Sequence, residues 1–453
     1  MLRSVAVMTR FRLARLVAGA ELWVTLAIAP ALLFPTPWRM LALAVVPLIW
    51  LFARVTTGRA VPPTPMNAAL WLMLAMVGVS LYATFDVRIS LGKVAGVALG
   101  VTLFWALARW ATTRARLTAL ACAFLLAGGG LAAIGLAGTN WFEKFPVLAA
   151  VVVRLPRIIR GVPGAEAGFH PNAVAGCLVL FVPLQVALLG AGWHRDVVPA
   201  GTRLAARGAV ITAEGLLLLL TGGTLLLTQS RGAWLGTAFA AAVFLAWRGQ
   251  PTRALVAAAA AALVMWAAFV GPGRLANLAI SGSGPGMAEN AAGRVELWSR
   301  AIEGIQDFPL TGMGMNAFRT VMPALYPTFL TSPDFDVAHA HNHLLQAALD
   351  IGLPGLVAYV AIWLTAGLLL IRVNRQGERP SDRSMAAGLG AGFIAHFVFS
   401  LTDAIPLGAK PGVLFWLALA TAVALHQVTV PRGGAGPDAA TGGEAFPPPA
   451  AAA

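Results

Sequence analysis

Apolar residues in this chain run in continuous stretches of about 17–25 residues, interrupted by short polar segments. Each stretch is long enough to cross the hydrocarbon layer of a bilayer as a helix. A backbone in lipid must satisfy its own hydrogen bonds, which selects helices over open sheet. The alternating pattern of a membrane barrel is absent. Twelve spans are predicted, at residues 16–34, 39–54, 66–82, 91–108, 117–138, 172–193, 208–228, 231–247, 253–271, 344–371, 385–402 and 408–430. The expected fold is all-α, a polytopic integral membrane helical bundle of about twelve transmembrane helices with one long outer loop. Residues 1–271 form an N-terminal bundle of about nine spans, 272–343 the long loop, 344–430 the C-terminal helices, and 431–453 a Gly/Ala/Pro-rich tail expected to be disordered on the inner side.

Composition agrees with this pattern. Of 453 residues, 58% are apolar and 11% charged, with a mean hydropathy of +0.78. A soluble domain carries about a quarter charged residues. The net charge of +14 does not gather into a nucleic-acid-binding patch; basic residues sit in short clusters between apolar runs, as topology signals do. With the N-terminus inside, 19 of the 32 basic residues fall on the inner side, among them Arg54, Arg114, Arg372 and Arg383. Arg3, Arg10, Arg12 and Arg15 precede the first apolar run. That run is long for a signal peptide, so an uncleaved first helix is expected. Cys122 and Cys177 lie inside spans and read as small core hydrophobes.

The long loop carries most of the chemistry. It opens with a Ser/Gly/Pro run at 281–286. An amphipathic helix follows, with Val295, Leu297, Trp298, Ile302 and Ile305 recurring near helical spacing. At its end stands His339-Ala340-His341-Asn342-His343, the densest polar group in the chain. A histidine at a loop-to-helix junction suits a general base. Three histidines at i, i+2 and i+4 could instead bind zinc on an extended segment, or be polar interfacial residues. Arg231, in the turn Thr228-Gln229-Ser230-Arg231-Gly232, could fork onto phosphate oxygens at the membrane surface or simply snorkel there. Asp334-x-Asp336 has a form that holds metal–nucleotides, but no nucleotide fold accompanies it, and no role is expected of it.

His341-Asn342, nine residues, Gly352, two residues and Gly355 resembles the signature of the O-antigen ligase family, a family that includes Wzy-type O-antigen polymerases. Ser230-Arg231-Gly232-Ala233-Trp234-Leu235 is similar to that family's arginine-bearing motif. Gly293-Arg294…Trp298, followed by Pro309-Leu310-Thr311-Gly312-Met313-Gly314, is similar to its Gly-Arg…Trp helix and turn. Phe169-His170-Pro171-Asn172 and Thr402-Asp403 are weaker matches; a plain helix terminus explains either nearly as well. The resemblance spans roughly residues 168–412.

The resemblance implies a GT-C-like membrane glycosyltransferase of the bacterial inner membrane, with its active site and long loop facing the periplasm. The donor would be a glycan on undecaprenyl pyrophosphate, and the acceptor lipid A–core, a glycan chain or a protein. His341 would be the catalytic base, and Arg231 and Arg294 would bind the pyrophosphate. Asn342, His339, Asn172 and Asp403 are candidates for orienting groups or substrate contacts. No metal, cofactor or nucleic-acid partner is expected. Twelve spans is also the count of many transporters, which place polar residues mid-membrane; Glu21 and Glu214 are the clearest such carboxylates here.

Overall fold

A computed structural model describes residues 19–191, 204–248, 250–270, 291–330 and 336–430. The N-terminal arginines, the 281–286 run, Asp334 and the 431–453 tail lie outside the described residues. Helix α1 covers Gly19–Leu33, and a 3₁₀ turn Arg39–Ala44 leads into α2, Val45–Thr57. Helices α3 (Asn67–Ala83), α4 (Val87–Trp110) and α5 (Arg114–Gly138) follow, then the short α6 (Pro146–Val152). Next come α7 (Pro171–Leu178), α8 (Val182–Ala191), α9 (Leu204–Leu227), α10 (Arg231–Arg248) and α11 (Gln250–Val270). The last group is α12 (Ala291–Asp307), α13 (Phe318–Leu325), α14 (His343–Gln376), α15 (Pro380–Ser400) and α16 (Val413–Thr429). Among the described residues there are no strands, only two isolated bridges. Among the described residues, seven helical segments are long and apolar enough to cross a bilayer, and α1, α3 and residues 231–246 are shorter apolar helices.

The helices pack because their inward faces are large and apolar while their outward faces stay apolar too, as a lipid solvent permits. On α2, Leu48, Leu51, Phe52 and Val55 are exposed. Between the helices, Trp50, Trp71 and the fully buried Trp105 meet with ring centres 5.0–5.6 Å apart, Trp71 reaching the outer surface. The Trp105 Nε1–H donates to Asn67 Oδ1 at 3.0 Å, so the indole buries its ring without orphaning its donor. Helix α4 packs on α16, α14 on α3, and α15 lies between α8, α10 and α14.

One end of the bundle is held by ion pairs. Arg109 Nε meets Glu21 Oε2 at 2.6 Å, joining α4 to α1. The Arg114 guanidinium takes the Asp382 carboxylate two-pronged, joining α5 to α15. Glu21, read from the sequence as a mid-membrane carboxylate, therefore pairs with a cation from the last turn of α4. At the other end lie the starts of α4, α7, α10 and α14 and the end of α15, where His341 and its neighbours are found.

Two sequence expectations change. The 172–193 span is two helices joined by a turn at 179–181. The α14 span is broken at Ile351 (φ −136°) and Gly352 (φ 69°, ψ 174°). The turn after α12 plugs into that break: Met313 N–H donates to Leu349 O (2.7 Å) and Leu353 N–H to Pro309 O (2.7 Å). A Cβ on Gly352 would stand 2.3 Å from Leu310 O. The signature glycine thus admits a docked loop and a backbone that L side chains avoid. The amphipathic helix α12 exists, but it buries Leu297, Ala301 and Gly304, whereas Val295 and Ile302 are exposed. Small residues let it approach α14 closely, so the bulkier apolar pair is turned outward.

Candidate functional site

His341 stands just before α14 with φ +50°, a left-handed conformation that non-glycine residues seldom adopt. It does not cap the helix. Asn342 does: its Oδ1 accepts from Leu344 N–H (3.0 Å) and Leu345 N–H (3.1 Å). The other end of the Asn342 amide donates to Leu401 O at 3.1 Å, which ties the histidine loop to the end of α15.

That tie sets His341 against Asp403. His341 Nδ1 lies 3.2 Å from Asp403 Oδ1, and His339 Nε2 lies 3.9 Å from the same oxygen. The two imidazoles are 4.4 Å apart. His339 Nδ1 accepts the His341 backbone N–H (3.2 Å), so its proton belongs on Nε2, facing the carboxylate. Burial first, then the charge of His341, pushes His339 down to about 3, against the opposing pull of Asp403. It is neutral at any working pH. Burial alone would raise Asp403, but the contact with His341 and the charges of His341, His339 and Arg294 outweigh it and hold the carboxyl below its ordinary range.

Asp403 is anchored from a third side. Asn172 Nδ2 donates to Asp403 Oδ2 at 2.8 Å, and Ala404 N–H donates to Oδ1 at 2.8 Å. Asn172 is in place because loop 139–170 closes on the end of α5: Phe169 N–H donates to Gly138 O (2.8 Å) and Asn140 N–H to Phe169 O (2.9 Å). His170 Nδ1 then caps α7 by accepting Asn172 N–H.

Arg231 opens α10, directly after a turn in which Gln229 takes φ +53°. Gly232 packs against Thr402, the neighbour of Asp403; an added Cβ would lie 2.7 Å from Thr402 Oγ1. Arg294, from α12, lies close enough to Asp403 to act on its charge. Of the predicted group, His339, His341, Asn342, Asn172 and Asp403 form one contact network, with Arg294 and the start of α10 beside it. His343 separates from it. Its Nδ1 pairs with the Tyr359 hydroxyl (2.9 Å) among Trp363 and Phe397, a core position.

Sequence reasoning missed Lys144 and Gln229. Lys144 Nζ donates to Asn172 Oδ1 at 3.3 Å and lies over the Phe142 ring. Gln229 Oε1 accepts from Lys144 N–H (2.9 Å) and Phe145 N–H (2.7 Å), clamping that loop to the Arg231 turn. A polar residue in a buried turn was the available signal. Asp336, set aside on sequence, pairs with Arg319 at 2.8 Å.

His339, His341 and Asp403 could together hold a cation, since their ligand atoms all lie within 4.8 Å of one another. The surroundings oppose it: Arg294 acts on Asp403 and Lys93 acts on His339, both with positive charge. That field favours an anion.

The fold and this polar end define the chain as a polytopic α-helical membrane protein with a histidine–carboxylate centre at one end of its bundle. Residues 216–360 match the family model described as O-antigen ligase. The match takes in Arg231, Arg294, His341, Gly352 and Gly355, while Asn172 and Asp403 lie beyond it. A comparison with curated proteins gives no match.

Proposed function

We propose that the protein transfers a glycan from an undecaprenyl-pyrophosphate carrier to an acceptor hydroxyl, lipid A–core being the first choice, on the periplasmic face of the bacterial inner membrane. On the twelve-crossing topology predicted from the sequence, with the N-terminus inside, His341, Arg231 and Arg294 lie on that face, where lipid-linked glycans are displayed. The observation that carries the reading is the contact of His341 Nδ1 with Asp403 at 3.2 Å, in a centre that also draws on Arg294. A carboxylate at Nδ1 orients an imidazole and stabilises its protonated form, leaving Nε2 to take a proton.

The reaction follows from those groups. The acceptor hydroxyl gives its proton to His341 as its oxygen bonds to the anomeric carbon of the donor. The bond from that carbon to the phosphate oxygen breaks, and undecaprenyl pyrophosphate leaves with the electron pair. Arg231 and Arg294 neutralise the charge growing on the pyrophosphate.

The test is transfer of undecaprenyl-pyrophosphate-linked O-antigen to lipid A–core by purified protein. His341→Ala, Arg231→Ala and Arg294→Ala each lose it by roughly 100-fold or more while accumulating normally, on the scale of a lost catalytic or charge-stabilising group. Lysine at either arginine rescues poorly, because a point charge lacks the planar fork. His343→Ala is milder, and EDTA has no effect. Full activity in the arginine and His341 variants would sink the reading; inactivation by EDTA would replace the general base with a metal centre.

A further inference from the structure

Ala340, between His339 and His341, has a buried backbone N–H that donates to Gln346 Oε1 at 2.8 Å. Gln346 lies in the first turns of α14. Its other end, Nε2, donates to Asp350 Oδ1 at 2.9 Å. The same oxygen accepts Asn316 N–H at 3.3 Å, and the Asn316 side-chain amide donates to Ile89 O of α4 at 3.1 Å. Gln346 and Asp350 are 2% and 1% exposed. A line of hydrogen bonds therefore runs from α4, through the turn docked in the α14 break, to the backbone beside His341.

Neither residue is needed for the helix. Asn342 already caps α14, and at two fully buried positions apolar side chains would pack without the cost of burying an amide and a carboxylate. What Gln346 does touch is the His339–Ala340 peptide, one residue before His341, whose φ of +50° persists only where the surroundings impose it. Lys93 of α4 faces Asp350 and offsets its charge. We propose that Gln346 and Asp350 are positioning residues that hold the His339–His341 loop so that the His341 imidazole meets Asp403 on one side and the acceptor on the other. This rests on the general-base role of His341 argued above.

The test uses full-length protein, undecaprenyl-pyrophosphate-linked O-antigen and lipid A–core. Gln346→Leu lowers kcat by roughly 10- to 100-fold with donor KM unchanged, the size of effect expected from a displaced catalytic group. Asp350→Asn keeps an Oδ1 that accepts from Gln346 and Asn316, and retains kcat within about threefold, whereas Asp350→Leu falls with Gln346→Leu. In a His341→Ala background Gln346→Leu costs nothing further, because it acts only through that histidine. Wild-type kcat in Gln346→Leu, or losses that merely follow the amount of folded protein, would overturn the positioning role. If His341→Ala is itself active, the functional reading fails first; if it is inactive and Gln346→Leu is not, only this inference falls.

Discussion

His339 illustrates how a residue next to a catalytic candidate takes a different part. Its side chain is 17% exposed and its Nδ1 is occupied by the backbone of His341, so it can neither turn nor readily charge. A free histidine titrates near 6.5, while this one is pushed down to about 3, first by burial and then by His341. Between those values the unfolded chain binds a proton that the folded protein refuses, so His339 costs stability progressively as pH falls from about 6.5 and costs nothing above it. Asp403 has the opposite shift: its lowered folded value adds stability that is lost only in stronger acid, below the ordinary carboxylate range near 4. His339→Gln should therefore flatten the decline in melting temperature between pH 6.5 and 4.5 in detergent. An unchanged slope would mean that His339 is protonated in the folded state.

The helices owe their placement to backbone details that a hydropathy plot does not display. The break in α14 depends on Gly352 at φ 69° and ψ 174°, a region essentially closed to other residues, with Leu310 O against its open face. Gly312, also at positive φ, meets the break from the other side, and a Cβ there would lie 2.5 Å from Leu349 O. Gly352→Ala should cost on the order of 1–3 kcal/mol from backbone strain alone, with the overlap adding to it. It should also reduce transfer, since the same turn carries Asn316. Gly367→Ala, in open space on the same helix, should be neutral or gain up to about 1 kcal/mol. Thermal unfolding of both variants decides the matter; equal melting temperatures would remove the docked-turn explanation of the signature.

The bundle as a whole has two chemically different ends. Arg109–Glu21 and Arg114–Asp382 clasp one, amid clustered arginines. The other gathers His341, Asp403, Asn172 and the start of α10. Biased placement of basic residues should orient the clasped end inward. In a protein lacking Cys122 and Cys177, a cysteine at exposed Ser299 of α12 should react with an impermeant thiol reagent from the periplasmic side. A cysteine at exposed Glu378, between α14 and α15, should stay protected until the membrane is opened. Labelling of both from one side would overturn the orientation and the choice of a lipid-linked donor with it.

Helix class and most of the apolar segments that become helices were legible in the chain, as were His341 and its signature glycines. Burial in lipid depends on summed apolarity over about 20 neighbouring residues, and the His341–Gly352–Gly355 spacing is likewise local. The partners were not legible. Asp403 reaches His341 across 62 positions and Asn172 reaches Asp403 across 231, and no local pattern encodes which loop ends converge. Signature spacing singled out His341 but did not say where the other two histidines would turn. His343 turned into the core beside Tyr359, while His339 and His341 turned toward Asp403, because the helix begins between them at Asn342. The cap at Asn342 and the left-handed backbone at His341 determine that division, and the Asn342 amide fixes the loop against Leu401 only once α14 and α15 have packed.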